Sequence, residues 1–194
     1  MNKYKLIVLC GKSGAGKDYL LKKICEKKEN KNKINLLTSD TTRPKRDYEI
    51  DGIDYNFLTP EEFSKKEHLE WAVFNNWYYG TPYNALRKDR INVAILNPSG
   101  VNQLYTRNIN KQDLEIIVFF IHAEPKIRLI RQMEREKNPD YTEICRRFLT
   151  DEEDFKILIG PLVVLNNNTQ EETEESLEAI QSAIEELNDS GRMD

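Results

Sequence analysis

The hydrophobic pattern near the start of the chain changes from a continuous run to helical spacing. Residues 5–10 form a short apolar run, as expected of a buried parallel strand. Residues 19–25 repeat apolar side chains at helical spacing, which predicts a helix with one buried face. A stretch rich in glycine lies between them. The sequence therefore predicts a strand, a glycine loop and a helix in succession.

The same alternation of strands and helices continues along the rest of the chain. Apolar runs predict further strands at residues 34–37, 92–96, 114–121 and 162–165. Helical spacing predicts helices over residues 101–109, from 124, from a cap at Thr142, and over 169–187. This alternation predicts a three-layer α/β domain with a mainly parallel core sheet. In such folds ligands bind beyond the carboxyl ends of the strands, where the glycine loop lies.

The middle of the chain, about residues 38–80, differs from this alternation. Two short strand-like pieces, residues 70–74 and 77–80, are unusually rich in aromatic side chains. We interpret the segment as a small α+β insert in a single domain, residues 1–194, whose core comprises residues 1–37 and 81–187.

Two helix starts are predicted in and after this insert. Thr59 caps a short helix in which Pro60 takes the first position and Glu62 completes a capping box. A second helix is predicted from Thr81 to about Arg90.

The composition is that of a globular domain. Of 194 residues, 39% are hydrophobic and 32% are charged, and the chain is long enough for one core. No apolar run approaches the roughly 20 residues needed to cross a bilayer. The net charge of −4 provides no basic field for nucleic acid. Three cysteines without metal-ligand spacing are interpreted as buried free thiols. We expect a cytoplasmic monomer or homodimer without nucleic-acid or membrane partners.

The glycine-rich stretch fits most of the phosphate-binding loop pattern G-x-x-x-x-G-K-[ST]. Its glycines allow the backbone to curl so that successive N–H groups face an anion. Lys17 adds a positive charge that can reach the β- and γ-phosphates of a nucleotide. Asp18 stands where a Ser or Thr hydroxyl ordinarily binds Mg²⁺. The predicted phosphate site comprises Gly11, Lys12, Ser13, Gly14, Ala15, Gly16, Lys17 and Asp18.

A second basic stretch lies between residues 38 and 57. Arg43 and Arg46 are three residues apart, with Lys45 between them. The planar guanidinium group of arginine matches phosphate oxygens two at a time. The local pattern indicates either a second phosphate site or a solvent-exposed basic turn.

Residues 39–57 resemble the guanylate kinase pattern S-x-T-T-R-x-x-R-x-x-E-x-x-G-x-x-Y-x-F, with every fixed position present. Residues 70–72 and 78–81 are similar to the next two signatures of that family. The resemblance extends from Leu6 to about Leu187. It implies the fold of P-loop nucleoside monophosphate kinases, with a nucleotide-binding insert at about residues 38–80 and a helical lid at about residues 132–147.

The resemblance also implies how the acceptor nucleotide, GMP or dGMP, is held. Its phosphate would contact Arg43, Arg46, Tyr55 and Tyr79. Its guanine would face Ser39, Glu70 and Thr81. The Glu70 carboxylate could accept from both N–H donors on one edge of guanine, whereas adenine lacks that pair and would leave a buried carboxylate unpaired.

On the donor side, the resemblance implies ATP with Mg²⁺. The catalytic cations would be Lys17, Arg43, Arg131, Arg135 and Arg147, with Arg146 as an alternative to Arg147. Asn166 would meet the adenine, with Asn167 and Asn168 left open by the register. Asp18 is the candidate protein ligand of Mg²⁺. The implied reaction transfers the γ-phosphoryl group of ATP to the monophosphate and gives ADP and GDP.

Two positions depart from the family pattern. Asp18 replaces a Ser or Thr, which looks similar to some phage-type deoxynucleoside monophosphate kinases. Asn97-Pro98-Ser99-Gly100 stands where the family usually carries D-x-D-x-x-G, so both carboxylates are absent. Two alternatives therefore stay open. One is a kinase for another (deoxy)nucleoside monophosphate, and the other is a non-catalytic guanylate-kinase-like binding module. The intact glycines and Lys17 favour an enzyme.

Overall fold

The protein, seen in a computed structural model, is described at residues 3–46, 49–74, 76–135 and 138–190. Its strands are β1 (Tyr4–Cys10), β2 (Ile34–Leu36), β3 (Asp40–Thr41), β4 (Asn56–Phe57), β5 (His68–Phe74), β6 (Trp77–Pro82), β7 (Ile91–Ile95), β8 (Leu114–His122) and β9 (Val163–Asn166). Its α-helices are α1 (Lys17–Glu26), α2 (Pro60–Ser64), α3 (Pro98–Lys111), α4 (Pro125–Glu134), α5 (Tyr141–Asp154) and α6 (Gln170–Ser190).

Five strands form a parallel sheet in the order β2-β7-β1-β8-β9. The strand β1 lies at its centre, where Leu6 is opposite Asn92 of β7 and Ile116 of β8. Parallel neighbours need crossover connections, which bring helices onto the faces of the sheet. Because the glycine loop directly follows β1, it lies at the carboxyl end of the central strand.

The hydrophobic core has two parts, one on each face of this sheet. Ile7 of β1 belongs to a buried cluster with Leu20 of α1 and Ile180 of α6. Leu6, which points the other way, belongs to a second cluster with Val101 of α3. From Leu6 to Cys10 the central strand is apolar, because both of its faces are buried there. The predicted three-layer α/β fold with a parallel core sheet is confirmed.

A second, smaller sheet has the order β4-β3-β6-β5 and lies within residues 40–82. β3 runs parallel to β4 and antiparallel to β6, and β5 runs antiparallel to β6. The predicted capping box of α2 is present. The Thr59 hydroxyl accepts from the backbone N–H of Glu62, whose carboxylate accepts from the N–H of Thr59.

The helix predicted from Thr81 to Arg90 is wrong. Strand β6 continues through Pro82, and only a 3-10 turn, Tyr83–Ala85, follows it. The buried amide of Asn92 accepts from the N–H of Arg87 and donates to its carbonyl oxygen. These bonds use backbone groups that a helix would need, so the segment leading into β7 stays extended.

The start of α5 also differs from its prediction. Asp140, rather than Thr142, is the N-cap, and its carboxylate accepts from the N–H of Glu143. Both residue types cap helices well, so the sequence pattern alone did not distinguish them.

Helix α3 connects the two sheets by packing along β5, the edge strand of the small sheet. The side-chain amide of Gln103 accepts from the backbone N–H of Trp71 and donates to the carbonyl oxygen of Trp71. This pair of bonds fixes the small sheet beside the carboxyl end of β7, from which α3 begins.

The three cysteines do not share one environment. Cys10 is buried, whereas Cys25 and Cys145 are exposed, so the interpretation of buried thiols is wrong for those two. All three are free thiols. Within the described ranges, none of the helices combines the length and the apolar character that crossing a membrane would need.

Candidate active site

The glycine loop between β1 and α1 is shaped by close approaches of the backbone. Gly14 and Gly16 have φ angles of 78° and 99°, which favour glycine. A Cβ atom at Gly14 would clash with the backbone of Arg128 in α4. A Cβ atom at Gly16 would clash with the side-chain amide of Asn167. The loop therefore needs glycine at both positions, and α4 supports it from behind.

Lys17 lies at the start of α1 and turns back over the loop. Its Nζ donates to the carbonyl oxygen of Gly11 at 2.6 Å and to that of Lys12 at 3.3 Å. Burial lowers the pKa of Lys17, and the nearby carboxylates of Asp18 and Asp151 act in the opposite direction. The ammonium group is thus held against the backbone at the start of the loop.

A cavity of about 270 Å³ opens over this loop. It is lined by Ser13, Gly14, Gly16, Lys17, Asp18, Tyr19, Arg131, Gln132, Arg135 and Arg147. The structure thus brings three arginines predicted for a lid, Arg131, Arg135 and Arg147, to the predicted phosphate loop. Nη1 of Arg131 lies 3.4 Å from the carbonyl oxygen of Ala15. A polyanion bound here would meet four positive side chains.

Arg146 and Arg147 differ in their position relative to this cavity, and which of them acts on a nucleotide stays a prediction. Arg147 lines the cavity over the loop, and Arg146 is not among its lining residues. Both arginines donate to the carboxylate of Glu143, Arg146 at 2.6 Å and Arg147 at 2.7 Å. Their proximity lowers the pKa of Glu143 to about 2.

Three of the predicted phosphate-loop residues lie outside this cavity. Gly11 approaches the backbone of Ile121, and Ala15 is buried. The Nζ of Lys12 points to Glu152 of α5 at 2.6 Å. Gly11 and Ala15 therefore pack against the protein interior beneath the loop.

Asn166, predicted to meet adenine, is the last residue of β9 and lies opposite His122. Its neighbour Asn167 is the one that contacts the phosphate loop. The Asn167 amide donates to the carbonyl oxygen of Ala15 at 2.7 Å and accepts from the hydroxyl of Thr173. Which of the asparagines meets a nucleotide base stays a prediction.

A second cavity, of about 290 Å³, lies between the small sheet and the end of β7. It is lined by Ser39, Tyr55, Glu70, Ala72, Tyr79, Gly80, Ile95, Leu96 and Asn97. Four residues predicted for the acceptor nucleotide, Ser39, Tyr55, Glu70 and Tyr79, therefore share one cavity. One cavity lies at the carboxyl end of β7 and the other at the carboxyl end of β1. Because β7 and β1 are parallel neighbours, both cavities open on the same side of the main sheet.

Glu70 is the buried carboxylate of this second cavity, with 8% of its surface exposed. The hydroxyl of Thr81, on the neighbouring strand, donates to Oε1 of Glu70 at 2.7 Å. Burial raises the pKa of Glu70, and the bond from Thr81 acts against that shift. The carboxylate packs on the first turn of α3, where a Cβ atom at Gly100 would lie 2.9 Å from Oε2.

Arg43 lies beside the same cavity, next to Tyr55 and Tyr79. Its guanidinium makes a two-point ion pair with Glu49, at 3.0 Å and 2.7 Å, and faces the ring of Tyr55. These contacts and a hydrogen bond with Tyr79 raise the pKa of Arg43. The backbone N–H of Arg46 donates to Glu49 as well. Glu49 thus holds the guanidinium group of Arg43 and the backbone of Arg46.

The family sequence profile described as Guanylate kinase matches residues 3–187. The chain belongs to the guanylate kinase family. The guanylate kinase of Sus scrofa is 32% identical over 175 residues, which are 84% of this chain and 84% of that protein. The guanylate kinase of Mycoplasmopsis pulmonis is 29% identical over 188 residues, which are 93% of this chain and 95% of that protein.

Other guanylate kinases match the chain in part or through their fold. The Helicobacter pylori guanylate kinase is 45% identical over 84 residues, so the matched segment spans 39% of that protein and 41% of this chain. The crystal structure of guanylate kinase from Anaplasma phagocytophilum superposes with a TM-score of 0.59. At 19% identity, it covers 97% of this chain and 88% of that chain, and it confirms the fold.

Several residues of the site were not selected from the sequence. Glu49 occupies the fixed glutamate position of the guanylate kinase pattern, so that pattern already contained a signal for it. Gln132 lies next to Arg131 on α4 and lines the loop cavity. Arg128 and Asp151 have no comparable signal, because only the packing of α4 against α5 brings them to the loop.

Guanylate kinase family membership implies a nucleotide kinase that generally works with a divalent metal. Asp18 is exposed, lines the loop cavity, and carries the oxygen ligands that Mg²⁺ prefers. Within the part of the chain that the structure describes, no group of three or more His, Cys, Asp or Glu side chains could hold a metal alone.

Proposed function

We propose that this protein is an ATP-dependent nucleoside monophosphate kinase that transfers the γ-phosphoryl group of ATP to GMP or dGMP, giving ADP and GDP or dGDP. The proposal rests mainly on one observation: two cavities lie close together at the carboxyl ends of the strands of the main sheet. One combines a phosphate-binding loop with Lys17 and three arginines. The other contains a buried carboxylate, Glu70, close to Arg43.

The donor cavity binds the triphosphate of ATP. The loop offers backbone N–H groups, and Lys17 reaches the β- and γ-phosphates. Arg131 lies in α4, Arg135 directly follows that helix, and Arg147 lies in α5, so all three lie in or beside the predicted lid at about residues 132–147. Closure of that lid over the phosphates excludes water and so suppresses hydrolysis of ATP. Asn166, or one of its neighbours Asn167 and Asn168, meets the adenine.

The acceptor cavity distinguishes guanine from adenine. Guanine presents the N1 and N2 donors on one edge, and the Glu70 carboxylate accepts both. Thr81 fixes the carboxylate from one side, and Ser39 donates to O6 of the base. Adenine has no such pair of donors and would leave the buried Glu70 unpaired, which makes its binding unfavourable. The phosphate of the acceptor lies against Arg43, Arg46, Tyr55 and Tyr79.

The reaction needs positioning and neutralisation of charge more than it needs a base. An oxygen of the acceptor phosphate is already anionic, and it forms the new bond to the γ-phosphorus as the bond to the β,γ-bridging oxygen breaks. ADP leaves with that oxygen. Lys17, Arg43 and the lid arginines hold the two polyanions in line and stabilise the charge between them.

Mg²⁺, when bound with ATP, neutralises charge on the β- and γ-phosphate oxygens. Asp18 is the protein group that would hold it. As a carboxylate, Asp18 binds more strongly than a neutral hydroxyl, but it also brings negative charge close to the triphosphate.

An acceptor screen tests the function directly. The purified protein is incubated with ATP, Mg²⁺ and each nucleoside or deoxynucleoside monophosphate in turn, and the formation of ADP is measured. GMP or dGMP should give the highest rate. A different preferred acceptor would support the alternative kinase, in agreement with the absent carboxylates at Asn97 and Ser99. If no acceptor gave ADP above background, both enzymatic functions would be refuted and a binding module would be favoured.

The setting in which this reaction takes place is part of the proposal. The free thiols of Cys10, Cys25 and Cys145 suit a reducing cytoplasm. Neither nucleic acid nor a membrane is needed as a partner, and the two cavities lie within a single chain. We therefore propose a cytoplasmic enzyme that acts as a monomer or a homodimer.

A further inference from the structure

Ionic contacts join the end of α5 to the phosphate-binding loop. Oδ2 of Asp151 accepts from the backbone N–H of Ser13 at 2.6 Å. The next residue, Glu152, accepts from Nζ of Lys12 at 2.6 Å and from Nη2 of Arg128 at 2.7 Å. Helix α5 therefore places a carboxylate directly on the loop that binds phosphate in the proposed reaction.

The Asp151 carboxylate occupies a position for which a phosphate would compete. The loop binds anions through backbone N–H groups, and a hydrogen bond from one of them to a carboxylate is charge-assisted. Asp151 is also close enough to Lys17 to influence its pKa. An incoming triphosphate meets the same N–H and the same ammonium group, and it is repelled by the negative charge of Asp151.

Arg128 provides a second position for this carboxylate. Its side chain is 2% exposed and rests on the ring of Phe148. Nη1 of Arg128 lies 3.9 Å from Oδ2 of Asp151, too far for a hydrogen bond. In the described structure, the buried Nε and Nη1 of Arg128 have no hydrogen-bond acceptor. Buried donors without an acceptor are costly, so Arg128 gains from receiving a carboxylate.

We propose that Asp151 is a displaceable latch, which holds the loop through Ser13 before ATP binds and moves onto Arg128 when the ATP phosphates arrive. Its carboxylate then exchanges one charge-assisted hydrogen bond for another. Asp151 is therefore a positioning residue that makes ATP binding and the arrangement of α5 depend on each other. This inference rests on the proposed function, because it takes ATP as the competing anion.

The first test compares two neutralised carboxylates on the same helix. Asp151→Asn keeps the shape and a hydrogen-bond acceptor but removes the charge. We expect calorimetry to show ATP binding tightened about fivefold, with the dissociation constant of GMP unchanged. Glu153→Gln is the matched control, because Glu153 is exposed and pairs with Lys156 of the same segment. It should leave ATP binding unchanged. ATP binding by Asp151→Asn that is equal to or weaker than that of the wild type would overturn the latch.

The second test removes the receiving cation. Arg128→Met should weaken ATP binding about fivefold, because the displaced carboxylate then has no partner. In the double variant with Asp151→Asn this loss should disappear, because a neutral amide does not need the guanidinium. Independent, additive effects would contradict the exchange between Ser13 and Arg128.

The experiments distinguish misfolding of a variant from failure of the proposed function and from failure of the latch. Circular dichroism establishes whether each variant is folded, and Asp151→Ser provides a second neutral variant if Asp151→Asn is unstable. If Arg128→Met does not fold, the comparison of Asp151→Asn with Glu153→Gln still tests the latch. Absence of ATP binding by the wild type would refute the proposed function and the latch with it. ATP binding by the wild type without tightening in Asp151→Asn would refute the latch alone.

Discussion

The hydroxyl of Thr81 donates to the carboxylate of Glu70 across 2.7 Å, between two neighbouring strands of the small sheet. This bond orients a buried carboxylate toward a cavity that also contains Ser39 and Tyr79. A buried acidic group costs free energy, and one hydrogen bond only partly offsets that cost. We therefore expect Glu70 to serve ligand recognition more than stability, and five predictions follow from the geometry around the two cavities.

Glu70→Gln should weaken the selection of guanine. The amide presents one acceptor and one donor, so it cannot accept from both N1 and N2 of guanine. We expect the preference for GMP over AMP, as the ratio of kcat/KM values, to fall at least about tenfold. The exposed Glu67→Gln is a matched control and should leave that ratio unchanged, because Glu67 pairs with Arg107 and Lys111 away from the cavity. An unaltered ratio in Glu70→Gln would show that the base is read elsewhere.

The same variant should change how stability depends on pH. Because burial raises the pKa of Glu70 above its ordinary value of 4.5, ionisation of Glu70 destabilises the folded state. The wild type should therefore lose stability relative to Glu70→Gln as the pH rises from 4.5 through the folded-state pKa. Melting temperatures of the two proteins measured over about pH 4 to 8 check this, since other carboxylates titrate in both. A difference independent of pH would contradict it.

Gly100→Ala should disturb the acceptor cavity selectively. A Cβ atom there would lie 2.9 Å from Oε2 of Glu70, so the carboxylate has to shift. We expect the KM for GMP to rise about tenfold, because the carboxylate that accepts from guanine is displaced, with little change in the KM for ATP. Ser99→Ala, one residue earlier on α3, is the control. Equal effects on both substrates would indicate a general loss of structure.

Lys17→Ala should remove most of the turnover. The side chain supplies a preorganised charge in a partly buried position, and the loss of such a group typically costs about 10²-fold or more in kcat. Lys22→Ala is the control on the same helix, where Lys22 is exposed and pairs with Glu26. Steady-state rates with ATP and GMP measure the effect. Turnover close to that of the wild type would refute the assigned role.

Asp18→Ala should increase the requirement for Mg²⁺. If the Asp18 carboxylate holds the ion, its loss should raise the half-saturating Mg²⁺ concentration about tenfold at fixed ATP. Asp18→Thr should restore much of the activity, because a hydroxyl can also bind Mg²⁺ at this position of the loop. Titration of the rate with Mg²⁺ checks both variants. An identical Mg²⁺ dependence in all three proteins would exclude Asp18 as a ligand.

Elements could be predicted from the sequence where local chemistry and long-range packing favour the same structure. The apolar run of β1, the glycine loop and the capping box at Thr59 each depend on neighbouring residues, and the structure contains all three. The segment after Thr81 was predicted wrongly because the buried amide of Asn92 holds it extended. That amide acts from a different strand, which helical spacing does not reveal.

In the candidate site too, residues in local motifs could be predicted, whereas contacts between distant segments could not. Lys17 and Glu70 follow from motifs, and the structure places both in cavities. The contact of Asp151 with Ser13 joins residues 138 positions apart in the chain. No periodicity encodes such a contact, because it depends on how α5 packs across the loop.

The two hydrogen bonds between Gln103 and the backbone of Trp71 have a consequence for the behaviour of the protein at high concentration. Exposed edge strands invite pairing with strands of other molecules, which leads to aggregation. Here a side-chain amide occupies both the N–H and the carbonyl oxygen of Trp71, as a neighbouring strand would. With Trp71 half exposed on this edge, Gln103 protects a hydrophobic border that would otherwise be available for intermolecular sheet growth.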